Sequence, residues 1–291
     1  MSAIFLPGAP VADAVLADVA TRVAGLRDAG RTVGLGTILV GDDPGSAGYV
    51  AKKHQTCEQI GMASFDERIP ASAGQADLLA AVARFNADPA VDAFIIQNPV
   101  PAGFDFNQAM LALDPTKDAD GLHPTNLGLM ALGDTAAPRP CTPLGIQALL
   151  AHFEIPVAGR EVVIVGRGPT IGRPLSMLLA LKEPGANAAV TVVHTRVPQW
   201  GDLTRRADIV VGAAGVPSMI TPDVIRPGSV VISGGISWEG RRLLPDVDES
   251  CNDVAGWITP RLGGVGVTTV AMLLANTVAA AERRSVPPPS A

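Results

Sequence analysis

Short, continuous apolar runs alternate with stretches of helical period along nearly the whole chain, and that alternation leaves few folds open. Val11, Val15, Val19, Val23 and Leu26 recur at helical spacing, with Gly30 as a C-terminal stop. "VGLGTILVG" (33–41) then reads as a buried strand ending at the turn "DDPG". A helix is expected over 46–60, a strand-like run and a second helix around 77–85 follow, and "VDAFIIQ" (91–97) is again a buried strand. Further on come a helix over 142–153, the strand and turn "EVVIVGRGPTIGRP" (161–174), and strands within 188–194, 207–214, 229–235 and 256–260. A last helix is expected from about Thr268 to 284, and residues 285–291 form a frayed tail.

Unbroken apolar strands between helices are the pattern of a parallel sheet covered on both faces. The text changes over 98–145, where prolines and polar residues crowd "NPVPAGFDF", "LDPTKDADGLHPTN" and "APRPCTPLG". A stretch that long is no idle connection and is expected to carry function. The prediction is an α/β protein of two domains with a cleft between them. An N-terminal α/β catalytic domain covers 1–145 and a Rossmann-like domain covers 146–267, and a chain of 291 residues is long enough for two cores.

Composition narrows the class. Hydrophobic residues make up 47% and charged residues 17%, which excludes a disordered chain. A net charge of −6 without a basic block makes nucleic acid and anionic membrane poor partners. Cys57, Cys141 and Cys251 lie far apart without C-x-x-C spacing, so neither a disulfide framework nor a zinc site is expected, and a reducing cytoplasm suits them. The opening "MSAIFLPGAPVADAV" lacks a signal-peptide pattern, and no segment is expected to reach the apolar length of a membrane span.

In "VVIVGRGPTIGRP" a buried strand turns sharply into a helix. Gly166 and Gly168 can let a phosphate approach the backbone, where the first N–H groups of the helix point at it. The spacing G-x-G-x-x-x-G is one residue longer than the dinucleotide fingerprint, so a plain tight turn stays open. An NAD site carries an acid at the end of the next strand, against the ribose 2′-hydroxyl. Here that strand ends in His194, Thr195 and Arg196, and Arg167 sits inside the turn. Cations and a hydroxyl in place of an acid favour the extra phosphate of NADP; the alternative is two surface arginines near a loop.

"SAGYVAKK" (46–53) holds Tyr49 and Lys53 at i, i+4, on one helix face. Short-chain dehydrogenases use Tyr-x-x-x-Lys for proton transfer, but there the glycine turn comes first. Here it comes more than a hundred residues later, which argues against that reading. "SAGYVAKK", "IIQNPVP", "DPTKDADGLHPTN", "RPCTPLGI", "VIVGRGPTIGRP" and "TPRLGGVGVTT" resemble, in this order, the signature segments of the methylenetetrahydrofolate dehydrogenase/cyclohydrolase family. The resemblance runs from about residue 40 to 275.

The resemblance implies that 5,10-methylenetetrahydrofolate loses a hydride to NADP and that water opens the resulting methenyl cation to 10-formyltetrahydrofolate. It implies Lys53 as general acid/base, Gln97 beside it, Tyr49 against the folate ring system and Asp120 on the pterin. Gly263 and Gly264 would contact substrate, and Gly166, Arg167, Gly168, Thr195, Arg196 and Ile236 would hold NADP. No metal is implied. It further implies a cytoplasmic homodimer whose last helix returns to the first domain. A dehydrogenase-only paralogue and a folate-binding protein without turnover are the alternatives.

The residue types suit these roles. A lysine at its free pKa of about 10.4 is a poor base, and lowering it to about 7–8 means roughly three units, or about 4 kcal/mol. Neutral Gln97 can bond Lys53 without opposing that shift, and an acid such as Asp120 can accept two N–H bonds from a pterin edge. Against this, a helical lysine is usually solvated, as Lys52 is expected to be. Gln97 could satisfy loop backbone, and Asp118 and Asp120 could both be turn formers. His123 and Pro124 read as loop-shaping, Cys141 as structural, His54 and His152 as ordinary helix residues. The chain departs from the family pattern at Leu262 (for proline), at Val267-Thr268 (for Pro-Met), at Ser233 (for an acid in "SGGI") and at Gly168 (for a serine). These departures put the balance of the two activities in question.

Overall fold

The computed structural model describes residues 2–240 and 242–285. Its strands are β1 (Ile4–Phe5), β2 (Gly34–Val40), β3 (Ala63–Ile69), β4 (Ala93–Ile96), β5 (Glu161–Val165), β6 (Ala189–Val193), β7 (Ile209–Gly212), β8 (Val230–Ser233), β9 (Ile236–Glu239), β10 (Arg242–Pro245) and β11 (Trp257–Ile258). The helices are α1 (Ala9–Asp28), α2 (Pro44–Ile60), α3 (Gln75–Ala87), α4 (Phe106–Ala112), α5 (Pro124–Ala131), α6 (Cys141–His152), α7 (Gly172–Ala180), α8 (Gly201–Thr204) and α9 (Val265–Ser285). The expected frayed tail lies, beyond Ser285, outside the described residues. The chain divides into two compact units.

One unit comprises residues 14–129, 135–139 and the chain from Leu273 on. Its sheet has the order β3-β2-β4, all parallel. Central β2 is buried at every position, as its unbroken apolar text requires, while edge strand β3 alternates. Ile38, Val82, Phe94 and Leu113 centre the core, and the Phe85 and Phe94 rings meet edge to face at 5.4 Å. Buried Asp92 accepts from Arg31 (2.7 Å), Arg284 (3.0 Å) and the Gly34 N–H (2.9 Å). Arg22 donates two bonds to Glu282, and Asn276 donates to the carbonyls of Ala119 and Arg139. The C-terminal part of α9 is thereby fastened to β4, α1 and the loop after β4.

The other unit comprises the chain up to Asp13, residues 130–134 and 140–272. Its six strands run in the order β1-β11-β8-β7-β5-β6, and every pairing is parallel. β5 has β6 on one side and β7 on the other, so the strand order reverses there. In doubly wound sheets ligands bind beyond the carboxyl ends of the strands at such a point. Val162, Ile164, Val211 and Ile232 form the middle of one core face with Leu149 of α6 and Leu175 of α7.

The structure adds elements that the text concealed. Ile4 and Phe5 extend the six-stranded sheet as an edge strand, so the first residues group with that unit and not with the first domain. Two residues are too few to show any periodicity. The proline-rich stretch contains α4 and α5: Asp105 caps α4 by accepting the Gln108 N–H at 3.0 Å, and Pro124 opens α5. The punctuation that reads as loop is helix-start chemistry. The antiparallel hairpin β9–β10 is a further element that the apolar runs do not mark. Contrary to expectation, α9 is long and apolar enough to cross a membrane by length and composition. Half of its most apolar window is buried within the protein, and Asn276 and Thr277 bond protein carbonyls, as in a core helix.

Candidate active site and cofactor turn

Lys53 lies in mid-α2 with only 9% of its surface exposed, and Lys52 beside it is exposed. The Lys53 Nζ donates to Gln97 Oε1 at 2.9 Å. Gln97 follows β4, and its N–H continues the ladder to the Ile38 carbonyl at 2.8 Å, which fixes its backbone. Its Nε2 donates to the Asn98 carbonyl at 2.9 Å, leaving Oε1 to face the ammonium. A neutral acceptor therefore meets the buried cation. One turn further along α2, Cys57 is fully buried, and burial pushes its thiol up to about 12 against the opposing charge of Lys53. It stays an uncharged thiol at neutral pH. Tyr49 lies in α2 four residues before Lys53; its side chain is outside the described part of the structure.

The segment "KDADG" divides its work. Lys117 is buried and donates to the carbonyls of Phe85 (2.9 Å) and Asp88 (2.8 Å), covering the end of α3; burial lowers its pKa. Asp118 is buried and accepts from the N–H groups of Gly121 (3.0 Å) and His123 (2.8 Å) and from Asn126 Nδ2 (2.9 Å). Burial raises its pKa, with those bonds opposing. Asp118 is thus a turn former, and Asp120 in the same loop is half-exposed. His123 shapes the loop by accepting the Thr125 N–H at 3.1 Å.

In the six-stranded unit Gly166 ends β5 at φ +132°. A Cβ there would lie 2.1 Å from the Ala213 carbonyl oxygen, and one on Gly172 would lie 2.3 Å from the Gly166 oxygen. Both glycines are required for close backbone approach, whereas a Cβ on Gly168 would meet open space. The extra residue in the turn leaves this packing intact. Arg167, Thr195 and Arg196 are exposed, and no carboxylate stands at 194–196 after β6. Ile236, at the start of β9, is 38% exposed. An open glycine turn at the sheet's reversal point, flanked by two free-reaching cations and no acid, fits NADP. Among the described residues no group of three or more His, Cys, Asp or Glu side chains could hold a metal ion.

Gly263 (φ +74°) and Gly264 lie in this unit, in the loop that enters α9, and the Gly8 N–H donates to the Gly263 carbonyl at 2.7 Å. Sequence reasoning missed Asp246. It is buried after β10 and accepts from three successive N–H groups, those of Ala214 (2.6 Å), Gly215 (3.1 Å) and Val216 (2.9 Å). Its text, "LLPDVDES", carries no local signal, because its partners lie some thirty residues upstream.

The family model described as "Tetrahydrofolate dehydrogenase/cyclohydrolase, catalytic domain" matches residues 6–120, and that described as the "NAD(P)-binding domain" matches residues 140–285. The chain belongs to the tetrahydrofolate dehydrogenase/cyclohydrolase family. It is 65% identical over 285 residues to the "Bifunctional protein FolD" of Syntrophotalea carbinolica, covering 98% of both chains. It is 60% identical to "Bifunctional protein FolD 1" of Salinispora tropica, over 96% of this chain and 90% of that one. The methylenetetrahydrofolate dehydrogenase-cyclohydrolase of Trypanosoma brucei, solved with NADP cofactor and an inhibitor, superposes with a TM-score of 0.90 at 35% identity; 99% of this chain and 100% of that one are covered.

Tyr49, Lys53, Gln97 and Asp120 fall within the match to the family's catalytic domain, and the glycine turn, Ile236, Gly263 and Gly264 within the match to its NAD(P)-binding domain. The departures from the family pattern have structural accounts. Val267 and Thr268 lie in the first turn of α9, where the Thr268 hydroxyl donates to the Val265 carbonyl at 2.8 Å. Thr268 is buried against Gly145 of α6, so closely that a Cβ there would lie 2.4 Å from its Oγ1. Ser233 donates its N–H to Thr259 Oγ1, just beyond β11, at 2.8 Å and its hydroxyl to the Gly235 carbonyl in its own segment at 3.3 Å. Leu262 is exposed.

Proposed function

We infer that the protein is a bifunctional enzyme that oxidises 5,10-methylenetetrahydrofolate to 5,10-methenyltetrahydrofolate with NADP and hydrolyses the product to 10-formyltetrahydrofolate. The observation that carries this reading is buried Lys53 bonded to half-buried Gln97 at 2.9 Å within the match to the family's catalytic domain. NADP, when bound, accepts the hydride that leaves the bridging methylene carbon.

Hydrolysis needs a base and then an acid. In this reading the free amine of Lys53 takes a proton from water as its oxygen bonds to the methenyl carbon. Lys53 returns a proton as the bond from that carbon to N5 breaks, leaving the formyl group on N10. Water is consumed and one proton is released overall. Gln97, carrying no charge, holds the Lys53 amine without a carboxylate's preference for the ammonium form. Asp120 is proposed to accept N–H bonds from the pterin edge, Tyr49 to lie along the folate ring system, and Gly263 and Gly264 to let substrate approach the backbone. Gly166, Arg167, Gly168, Thr195, Arg196 and Ile236 are proposed to hold NADP, with the arginines facing its 2′-phosphate. The domain division proposed is a folate part built mainly on residues 14–139 with the C-terminal part of α9, and a nucleotide part built mainly on residues 140–272 with the first residues of the chain on its sheet. We also propose a homodimer in the cytoplasm; Cys57, Cys141 and Cys251 are buried and in no disulfide, which suits a reducing compartment.

The test is a spectrophotometric assay of purified protein, following NADPH formation from the methylene substrate and decay of added methenyl substrate. Activity in both channels is expected. Hydride transfer without hydrolysis would reduce the enzyme to a dehydrogenase, and silence in both channels would overturn the reading.

A further inference from the structure

Three successive backbone N–H groups, at Ala214, Gly215 and Val216, converge on one carboxylate, that of Asp246. Consecutive N–H groups arranged this way form a concave nest that attracts anions. Here the protein fills the nest with its own buried acid. The loop so held follows β7, the neighbour of β5 at the point where the strand order reverses. Its first residue, Ala213, supplies the carbonyl against which Gly166 of the glycine turn is packed. Asp246 reaches the segment after β8 as well. Its N–H donates to the Gly235 carbonyl at 3.2 Å, and a Cβ on Gly235 would lie 2.1 Å from its Oδ2. The next residue is Ile236, at the exposed start of β9.

We propose that Asp246 is a positioning residue for NADP, holding the backbone of 213–216 and of Gly235–Ile236 in the places from which they meet the cofactor. It touches no reacting atom; it fixes the rim that does. The proposal rests on the reading of this unit as the NADP site. Released from Asp246, the loop would have three N–H groups without their acceptor and no reason to keep its shape.

The test compares wild type with Asp246→Asn and Gly235→Ala as full-length proteins. Asn keeps one acceptor oxygen and sets an N–H₂ group against the N–H groups that the other carboxylate oxygen now serves, and the alanine methyl drives the carboxylate off the loop. Each variant should raise the KM for NADP by about 10- to 100-fold, the scale of losing hydrogen bonds to a charged group. Hydrolysis of the methenyl substrate, measured without nucleotide, should stay within about twofold. An unchanged KM for NADP in a folded variant overturns the proposal. So does a parallel fall of both activities with the melting temperature, which marks a purely structural role. If Asp246→Asn does not fold, Gly235→Ala decides by the same criteria. A wild type without NADP-dependent oxidation would overturn the functional reading instead, so the two failures are distinct.

Discussion

Replacing Gln97 by Glu tests the central pair with almost no change in shape. The variant sets a carboxylate where a neutral oxygen now lies 2.9 Å from the Lys53 ammonium. At that separation two unit charges attract by about 6 kcal/mol at an effective dielectric of about 20. Gln97 is only half-buried, so solvent removes part of this, and about 2–4 kcal/mol is a fair remainder. All of it favours the charged lysine over the free amine that takes the proton from water. Methenyl hydrolysis at neutral pH should therefore fall by roughly 30- to 1,000-fold, and its pH profile should move up by about 1.5–3 units. Hydride transfer needs no proton acceptor at Lys53 and should lose far less. The assay is methenyl decay across a pH series, with NADPH formation measured on the same preparation. Hydrolysis within threefold of wild type on an unshifted pH profile would refute the reasoning, because Lys53 could then not be acting as the base.

Lys53→Met removes the base and keeps the length of the chain; hydrolysis should drop by about 10²–10⁴-fold while some hydride transfer survives. Equal loss of both steps in a folded variant would give Lys53 another role. Arg196→Ala should lower the preference for NADP over NAD, measured as the ratio of kcat/KM values, by roughly fivefold, since an exposed charge pair contributes about 1 kcal/mol. An unchanged ratio would remove Arg196 from the 2′-phosphate. Asp118 carries a pH signature: burial holds its pKa above the ordinary value of about 3.9, so the folded protein binds more protons than the unfolded chain in the window between. Its contribution to stability is full below the ordinary value and is lost as pH rises through the raised one. The urea stability of wild type minus that of Asp118→Asn should accordingly decline with rising pH, and a difference that grows would contradict the sign.

Strands buried on both faces announce themselves, and for that reason β2, β5, β7 and β8 could be located from composition alone. Their apolar runs are a direct consequence of helices covering a parallel sheet. The Lys53–Gln97 pair is a different matter, because its partners are 44 residues apart and no spacing rule relates them. Its expectation came from resemblance, and its geometry comes from α2 lying over a sheet in which β4 delivers Gln97 at its end. Acids show the limit most clearly. The text contains D-x-D twice, at 118–120 and at 246–248, and each pair looks like turn-forming punctuation. In each pair the first acid is buried and holds loop backbone by accepting several hydrogen bonds. The second does something else: Asp120 stays half-exposed, and Asp248 caps a single turn by accepting the Ser250 N–H at 2.9 Å. Local pattern cannot separate the members, since what distinguishes them is which one the fold buries. For Asp118 the N–H donors lie three to eight residues away and a careful reading could have found them. For Asp246 they lie 30 to 32 residues away in the loop after β7, so the pairing that sets the Ser218 N–H on the Pro245 carbonyl and the Ile220 N–H on the Asp246 carbonyl had to exist before that acid had a partner at all.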